Sequence, residues 1–200
     1  MKEFYIAASS ALGAAIIGAI LTWWLAVRQE KKRVLEEQIQ LLHAIKCELE
    51  EINELIEERA KQYLSEHPPV KQEIVYEIED LCRYDFAFIR VSFPYMSIYE
   101  SIGSDIGKIK DRELVKQIMW TYFEIKAMYE NLKDLEVLGT RGFSLQFNDK
   151  YYYEGIKKVA MLHNNIKIFL VDNSRYTQTK IVETVESIAK RVSKLEKKVK

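Results

Sequence analysis

The residues best suited by type and spacing to do chemistry lie in the last quarter of the chain, Lys157-Lys158-Val159-Ala160-Met161-Leu162-His163. Histidine gains and loses a proton near neutral pH, and a lysine a few residues away offers a positive point charge to a phosphate. His163 also shares a stripe with Ile156, Val159 and Ile166, the setting of a hydrogen-bonded core histidine. Other chemical signatures are sparse. No phosphate loop, Gly-x-Ser-x-Gly elbow, HExxH or Cys-x-x-Cys occurs, so P-loop hydrolysis, elbow-type serine hydrolysis and the common zinc sites have no support. His43, His67 and His163 fall on different elements, so neither a metal cluster nor a cofactor is expected. Glu36-Glu37, Glu50-Glu51 and Glu57-Glu58 are adjacent pairs, which on a helix point about 100° apart and read as solvated faces. Lys190, Arg191, Lys194, Lys197, Lys198 and Lys200 make a basic tail that would attract RNA or anionic lipid. No aromatic residue interleaves them after Tyr176, and the tail reads as the exposed side of a helix.

The elements that must position these residues are helices. Seven Gly and three Pro in 200 residues leave little material for turns. From Arg28 no Gly or Pro occurs until Pro68. Leu35, Leu42, Leu49, Ile56 and Tyr63 recur every seventh residue, with Ile45 and Ile52 between them, a heptad seam interrupted at Gln38 and Arg59. This neck, residues 31–67, is expected to bring copies together through Leu35, Leu42, Leu49, Ile52 and Ile56, and to end at Pro68-Pro69.

Residues 70–200 are expected to form a helical bundle. Its first part reads as helix to about Val91 with a turn at Pro94, then a short helix from Tyr95 closed by Gly103. Asp111 is a plausible cap for a helix whose face is Leu114, Val115, Ile118, Met119, Tyr122, Ile125, Tyr129 and Leu132, stopped at Gly139. Gly139–Asn148 reads as a loop, followed by a helix carrying Tyr152, Ile156, Val159, His163, Ile166 and Leu170. After a break at Asp172-Asn173-Ser174, a last helix carries a second heptad seam of Ile181, Val185, Ile188, Val192, Leu195 and Val199.

Before all of this stands Phe4–Val27, 24 residues without a charged side chain. As a helix it would be roughly 36 Å long, against a hydrocarbon core of about 30 Å. Its length and the bulk of Trp24 ahead of Ala26 argue for a retained anchor (residues 1–30) rather than a cleaved leader. Trp23 and Trp24 suit the headgroup level, and Arg28, Lys31, Lys32 and Arg33 predict that the C-terminal part stays on the cytoplasmic side of the lipid bilayer. Ala7, Ala11, Ala15 and Ala19 form one row of small residues and Ser10, Ala14 and Gly18 another, with Thr22 beyond. Such rows let membrane helices approach closely, so a homo-oligomer is expected, with these residues packing the helices or lining a pore. With no breaker in between, anchor and neck are expected to form one helix.

Net charge is zero, but Glu36–Glu66 holds nine acidic and three basic residues while Lys180–Lys200 holds seven basic and three acidic. Cys47 and Cys82 are too few for a disulfide framework and fit a reducing compartment.

The lysine-to-histidine spacing at Lys157, Lys158 and His163 resembles the Arg-x4-6-His motif of HEPN ribonucleases, helical bundles that cut RNA across a dimer. Lysine replaces the arginine here and cannot give its forked, two-point grip on phosphate. Together with the N-terminal span, the long helix and the helical bundle, the motif makes the chain similar to the small membrane accessory proteins encoded beside type VI-B RNA-guided CRISPR nucleases. That resemblance implies an all-α, HEPN-like bundle below a single transmembrane helix. It also implies an oligomeric pore in the bacterial inner membrane that depolarises it in antiviral defence, partnered with an RNA-guided nuclease or RNA. Two other functions fit the residues: a membrane-tethered ribonuclease using His163, and a non-catalytic scaffold that recruits a partner by helical packing.

Overall fold

A computed structural model of the chain describes residues 2–66, 69, 84, 86, 101, 103, 105–148 and 153–199; in the first helix, side chains are described at Gly13 and from Ala15 onward. All regular structure among these residues is helical. Helix α1 runs from Lys2 to Leu55, a π-helical segment follows over Ile56–Lys61, and α2 covers Gln62–Glu66. A single 3-10 turn at Ile106–Lys108 precedes α3 (Arg112–Asn148) and α4 (Tyr153–Val199). As the unbroken helical sequence predicts, the apolar run and the neck form one helix, and α2 ends just before Pro68.

Two compact units share these helices. One combines Met1–His43 with Lys190–Lys200, the other is Ala44–Ala189, so the division falls inside the neck rather than between apolar run and neck. In the first unit Gln38, Leu42, Val192 and Leu195 are buried. Gln38 interrupts the heptad in sequence, yet it occupies a buried seam position in space.

In the second unit, three helical stretches bury one face each. Ile45, Leu49, Ile52 and Ile56 come from the first stretch, Leu114, Ile118, Tyr122, Ile125, Met128, Leu132 and Leu135 from α3, and Ile156, Val159, Ala160, Leu170, Ile181 and Ile188 from α4. Positions of both heptads are buried within the single chain. Leu42, Leu49, Ile52 and Ile56 are at most 1% exposed in a single chain. Leu35 is half-buried. The π-helical segment includes Arg59, where the sequence interrupts the heptad.

Two buried polar contacts fix how the second unit's helices align. Tyr122 Oη donates to a Glu48 carboxylate oxygen, and the Thr121 and Thr184 hydroxyls lie 2.8 Å apart. Thr121 and Tyr122 are neighbours on α3 and point about 100° apart, so one helix is pinned to α1 through Tyr122 and to α4 through Thr121.

Three sequence expectations are corrected. Gly139–Asn148 is the last part of α3 and not a loop. Two glycines cost a helix about 1 kcal/mol each, but here the turn is held by packing: Gly139 and Gly142 are buried, and the Phe86 ring lies so close to Gly142 that any Cβ there would collide with it. Asp172-Asn173-Ser174 lies inside α4, where the Ser174 hydroxyl is buried and donates to the Val171 carbonyl at 3.2 Å. Tyr84 and Phe86 are irregular rather than helical, with the Phe86 N–H donating to the Tyr84 carbonyl at 3.1 Å. The rest of the expected helix to Val91, the turn at Pro94 and most of the short helix from Tyr95 lie outside the described residues. The cap at Asp111 agrees with expectation, since its carboxylate accepts from the Leu114 N–H at 3.2 Å.

Candidate functional site

Two places in the molecule bear on function: the surroundings of His163 and the apolar start of α1.

His163 is completely buried on α4. The irregular segment at Tyr84 and Phe86 covers it. Tyr84 Oη is 3.2 Å from His163 Nδ1, and both rings meet the imidazole edge-on, with centroids 5.7 Å away for Tyr84 and 5.5 Å for Phe86. Phe86 is itself buried against Ile156, Val159 and Ala160, with Leu138, Leu145 and Tyr153 around them. Helix geometry explains the fate of the lysines that precede it. Lys158 is five residues from His163, about 140° around the helix, and is exposed; Lys157 is half-buried, its ammonium 6.0 Å from the Tyr153 ring. Neither converges on the imidazole. The residue one turn on does share its face: Lys167 is 2% exposed, with Nζ 5.6 Å from the Tyr84 ring centroid, and Asn164 is buried beside it.

Tyr84, Phe86 and its own helix enclose His163. This is a buried polar cluster of His163, Asn164, Lys167 and Tyr84, and it fastens the irregular segment to α4. The reading from sequence missed Lys167 and Tyr84. Lys167 carried one available signal, its spacing of four from His163; Tyr84 carried none, because its contact spans 79 residues. Among the described residues, no group of three or more His, Cys, Asp or Glu is arranged to hold a metal ion.

The apolar start of α1 is built differently. From Ala15 to Ala26 every residue is exposed. Ile16, Ile17, Ile20, Leu21, Trp23, Trp24 and Leu25 are each half or more exposed. The one polar side chain inside this stretch is satisfied locally, as Thr22 Oγ1 donates to the Gly18 carbonyl at 2.8 Å. Open space surrounds the Cα of Gly18. At the basic end, the Arg28 guanidinium lies 5.4 Å from the Trp24 ring centroid. Lys32 faces Glu36 at 3.7 Å, and Arg33 meets Glu30 at 2.8 Å and Glu37 at 3.7 Å. The hydrogen bond and charge of Glu30 raise the Arg33 pKa further, so the guanidinium is charged at every working pH. Among the described residues no helix is long and apolar enough to cross a membrane. Of the 24-residue run, they include the side chains of Gly13 and Ala15–Val27 only, and those of Ala7, Ser10, Ala11 and Ala14 lie outside them.

The basic tail lies on the outside of α4. Lys190, Lys194, Lys197 and Lys198 are exposed opposite Val192 and Leu195, and Lys197 and Lys198 sit in the last turn, where positive charge favours the helix C-terminus. His43 Nε2 and Glu196 are 4.0 Å apart on the surface of the first unit.

Comparison with known protein families, with curated proteins and with solved structures finds no match to this chain.

Proposed function

We propose that the chain is a single-pass membrane protein whose Phe4–Val27 helix spans the bilayer, with its helical domain on the cytoplasmic side, and that copies assemble through the small residues of the span into a pore. One observation carries this reading: the helix between Ala15 and Ala26 is exposed on every side and made of large apolar and small residues. In water such a surface is costly, at about 25 cal/mol per Å² of apolar area, whereas lipid accommodates it. The Trp23-Trp24 pair and the four basic residues that follow suit the headgroup level and its cytoplasmic face. A single helix encloses no channel, so a pore needs several copies; Ala15, Gly18 and Ala19 supply surfaces for close approach.

The reading agrees with the resemblance to the type VI-B accessory proteins in the role given to the span, and it makes no use of His163 as a catalyst. Its test is alkaline extraction of membranes from cells expressing the full chain, followed by ion flux in vesicles containing the purified protein. Retention in the extracted membrane and flux that depends on the span are expected. A chain released by alkali, or one that is retained but leaves the vesicles tight, overturns the anchor or the pore respectively.

A further inference from the structure

The apolar run of α1 ends in an abrupt change of charge. Phe4–Val27 holds no charged side chain, and the next six residues, Arg28 to Arg33, hold four basic residues and one acidic. All five of these charged side chains are exposed. At 100° per residue, Arg28, Lys31, Lys32 and Arg33 point in four directions around the helix, and the widest gap between neighbouring directions is about 160°. That gap is less than half the circumference. Whichever side of α1 is turned to the axis of an assembly, at least one positive side chain lies on that side.

The nearby carboxylates do not cancel this charge evenly. Glu30 meets Arg33 at 2.8 Å, Glu37 meets Arg33 at 3.7 Å and Glu36 meets Lys32 at 3.7 Å, so Lys32 and Arg33 hold all three. Arg28 lies instead 5.4 Å from the Trp24 ring centroid, and among the described residues neither Arg28 nor Lys31 has a carboxylate at ion-pair distance. The sign persists beyond the mouth of the run. The same compact unit includes Lys190–Lys200, with six basic residues and one acidic, and that one, Glu196, faces His43 at 4.0 Å. The unit's sequence holds eleven basic and five acidic residues in all, against nineteen basic and twenty-five acidic in the rest of the chain.

We infer that Arg28, Lys31, Lys32 and Arg33 form a positive collar at the cytoplasmic mouth of the proposed pore and make it prefer small inorganic anions, chloride among them, to cations. The inference rests on the pore reading and adds the class of ion that the pore passes. Every copy brings the same collar, so assembly multiplies the positive charge around one opening. An opening lined by one sign of charge gathers counter-ions and repels ions of its own sign. Salt screens the collar over about 10 Å at 0.1 M but over about 3 Å at 1 M, so the preference is greatest in dilute salt.

The test records reversal potentials in a potassium chloride gradient across bilayers of uncharged phosphatidylcholine containing the purified full chain. Three proteins are compared: wild type, Arg28→Gln with Lys31→Gln, and Lys32→Gln with Arg33→Gln. A reversal potential reports selectivity whichever way the pores are oriented, so a change of topology does not mimic the result. Wild type is expected to pass chloride over potassium by about tenfold in dilute salt and by less at 1 M. The Arg28/Lys31 variant is expected to conduct with that ratio cut by about threefold or more, and the Lys32/Arg33 variant with a smaller change, because its charges are already paired. A wild type that conducts without preference, or prefers potassium, overturns the collar and leaves the pore standing. A chloride preference that neither pair of substitutions moves means that the collar faces lipid headgroups, which overturns the assignment. A variant that conducts nothing where wild type conducts overturns it too, since the charges then serve the pore's formation and not its choice of ion. A wild type that conducts nothing overturns the pore reading and this inference with it.

Discussion

Two of the places where the described residues expose large apolar side chains, one in α1 and one in α4, differ in everything except hydrophobicity. In α1, residues Ala15–Ala26 are exposed around the whole circumference and carry no charge. In α4, exposure is confined to one side of residues 161–182; the other side is buried, and Asp172, Arg175 and Lys180 interrupt the stretch. A helix that is apolar all round suits a solvent with no preferred direction, which is lipid. In α4 the side turned to its own chain mixes apolar residues such as Leu170 and Ile181 with polar ones such as His163 and Thr177, and the exposed side carries Leu162, Phe169 and Tyr176. The seam of α1 between Leu42 and Ile52 is a third case, apolar on one side only and already covered by its own chain.

The largest effect separates the first region from the second. Replacing Ile16 and Ile20 by lysine places two charges in the apolar helix, at about 3 kcal/mol each for insertion, and should move the chain from the alkali-resistant membrane fraction to the supernatant. Lysines at Ile168 and Phe169 should leave it in the membrane. If both pairs behave alike, the distinction between the two regions fails.

Next in size are changes on the buried side of α4. His163→Ala removes the contacts with Tyr84 and Phe86 and opens a cavity, and should cost about 2–4 kcal/mol in urea unfolding of the full chain in detergent. A catalytic histidine would instead be dispensable for stability, so a cost below about 0.5 kcal/mol would reopen the ribonuclease reading. Tyr122→Phe takes a donor from buried Glu48 and should cost about 1–3 kcal/mol. Gly142→Ala forces a methyl group against the Phe86 ring, with an expected loss of about 1–3 kcal/mol measured the same way.

Smallest of all should be Leu162→Ser on the outer side of α4. It should change stability by less than about 0.5 kcal/mol, because Leu162 is 53% exposed. A large loss there would mean that the outer side packs within the chain, and the contrast with His163 would vanish.

By itself the sequence determined the helical class, the unbroken passage from the apolar run into the neck, the cap at Asp111 and the two heptad faces. Each is a local property: spacing by three, four and seven is printed in the chain, and a carboxylate three residues before an amide can reach it without help from elsewhere. It also offered His163 as a core residue, through its place on the stripe of Ile156 and Val159. The tertiary structure alone decided what each face meets. It gave the neck heptad to its own chain, carried α3 through Gly139 and Gly142 and α4 through Asp172 to Ser174, and brought Tyr84 and Phe86 over His163. Those outcomes are set by contacts between residues tens of positions apart, whose packing outweighs the kilocalorie or so of local preference that a glycine or an asparagine expresses. The same contacts buried His163, Lys167 and Thr177 of α4 beside Leu170 and Ile181 and left Leu162, Phe169 and Tyr176 outside, which periodicity cannot foresee because it marks a face without saying which neighbour will cover it.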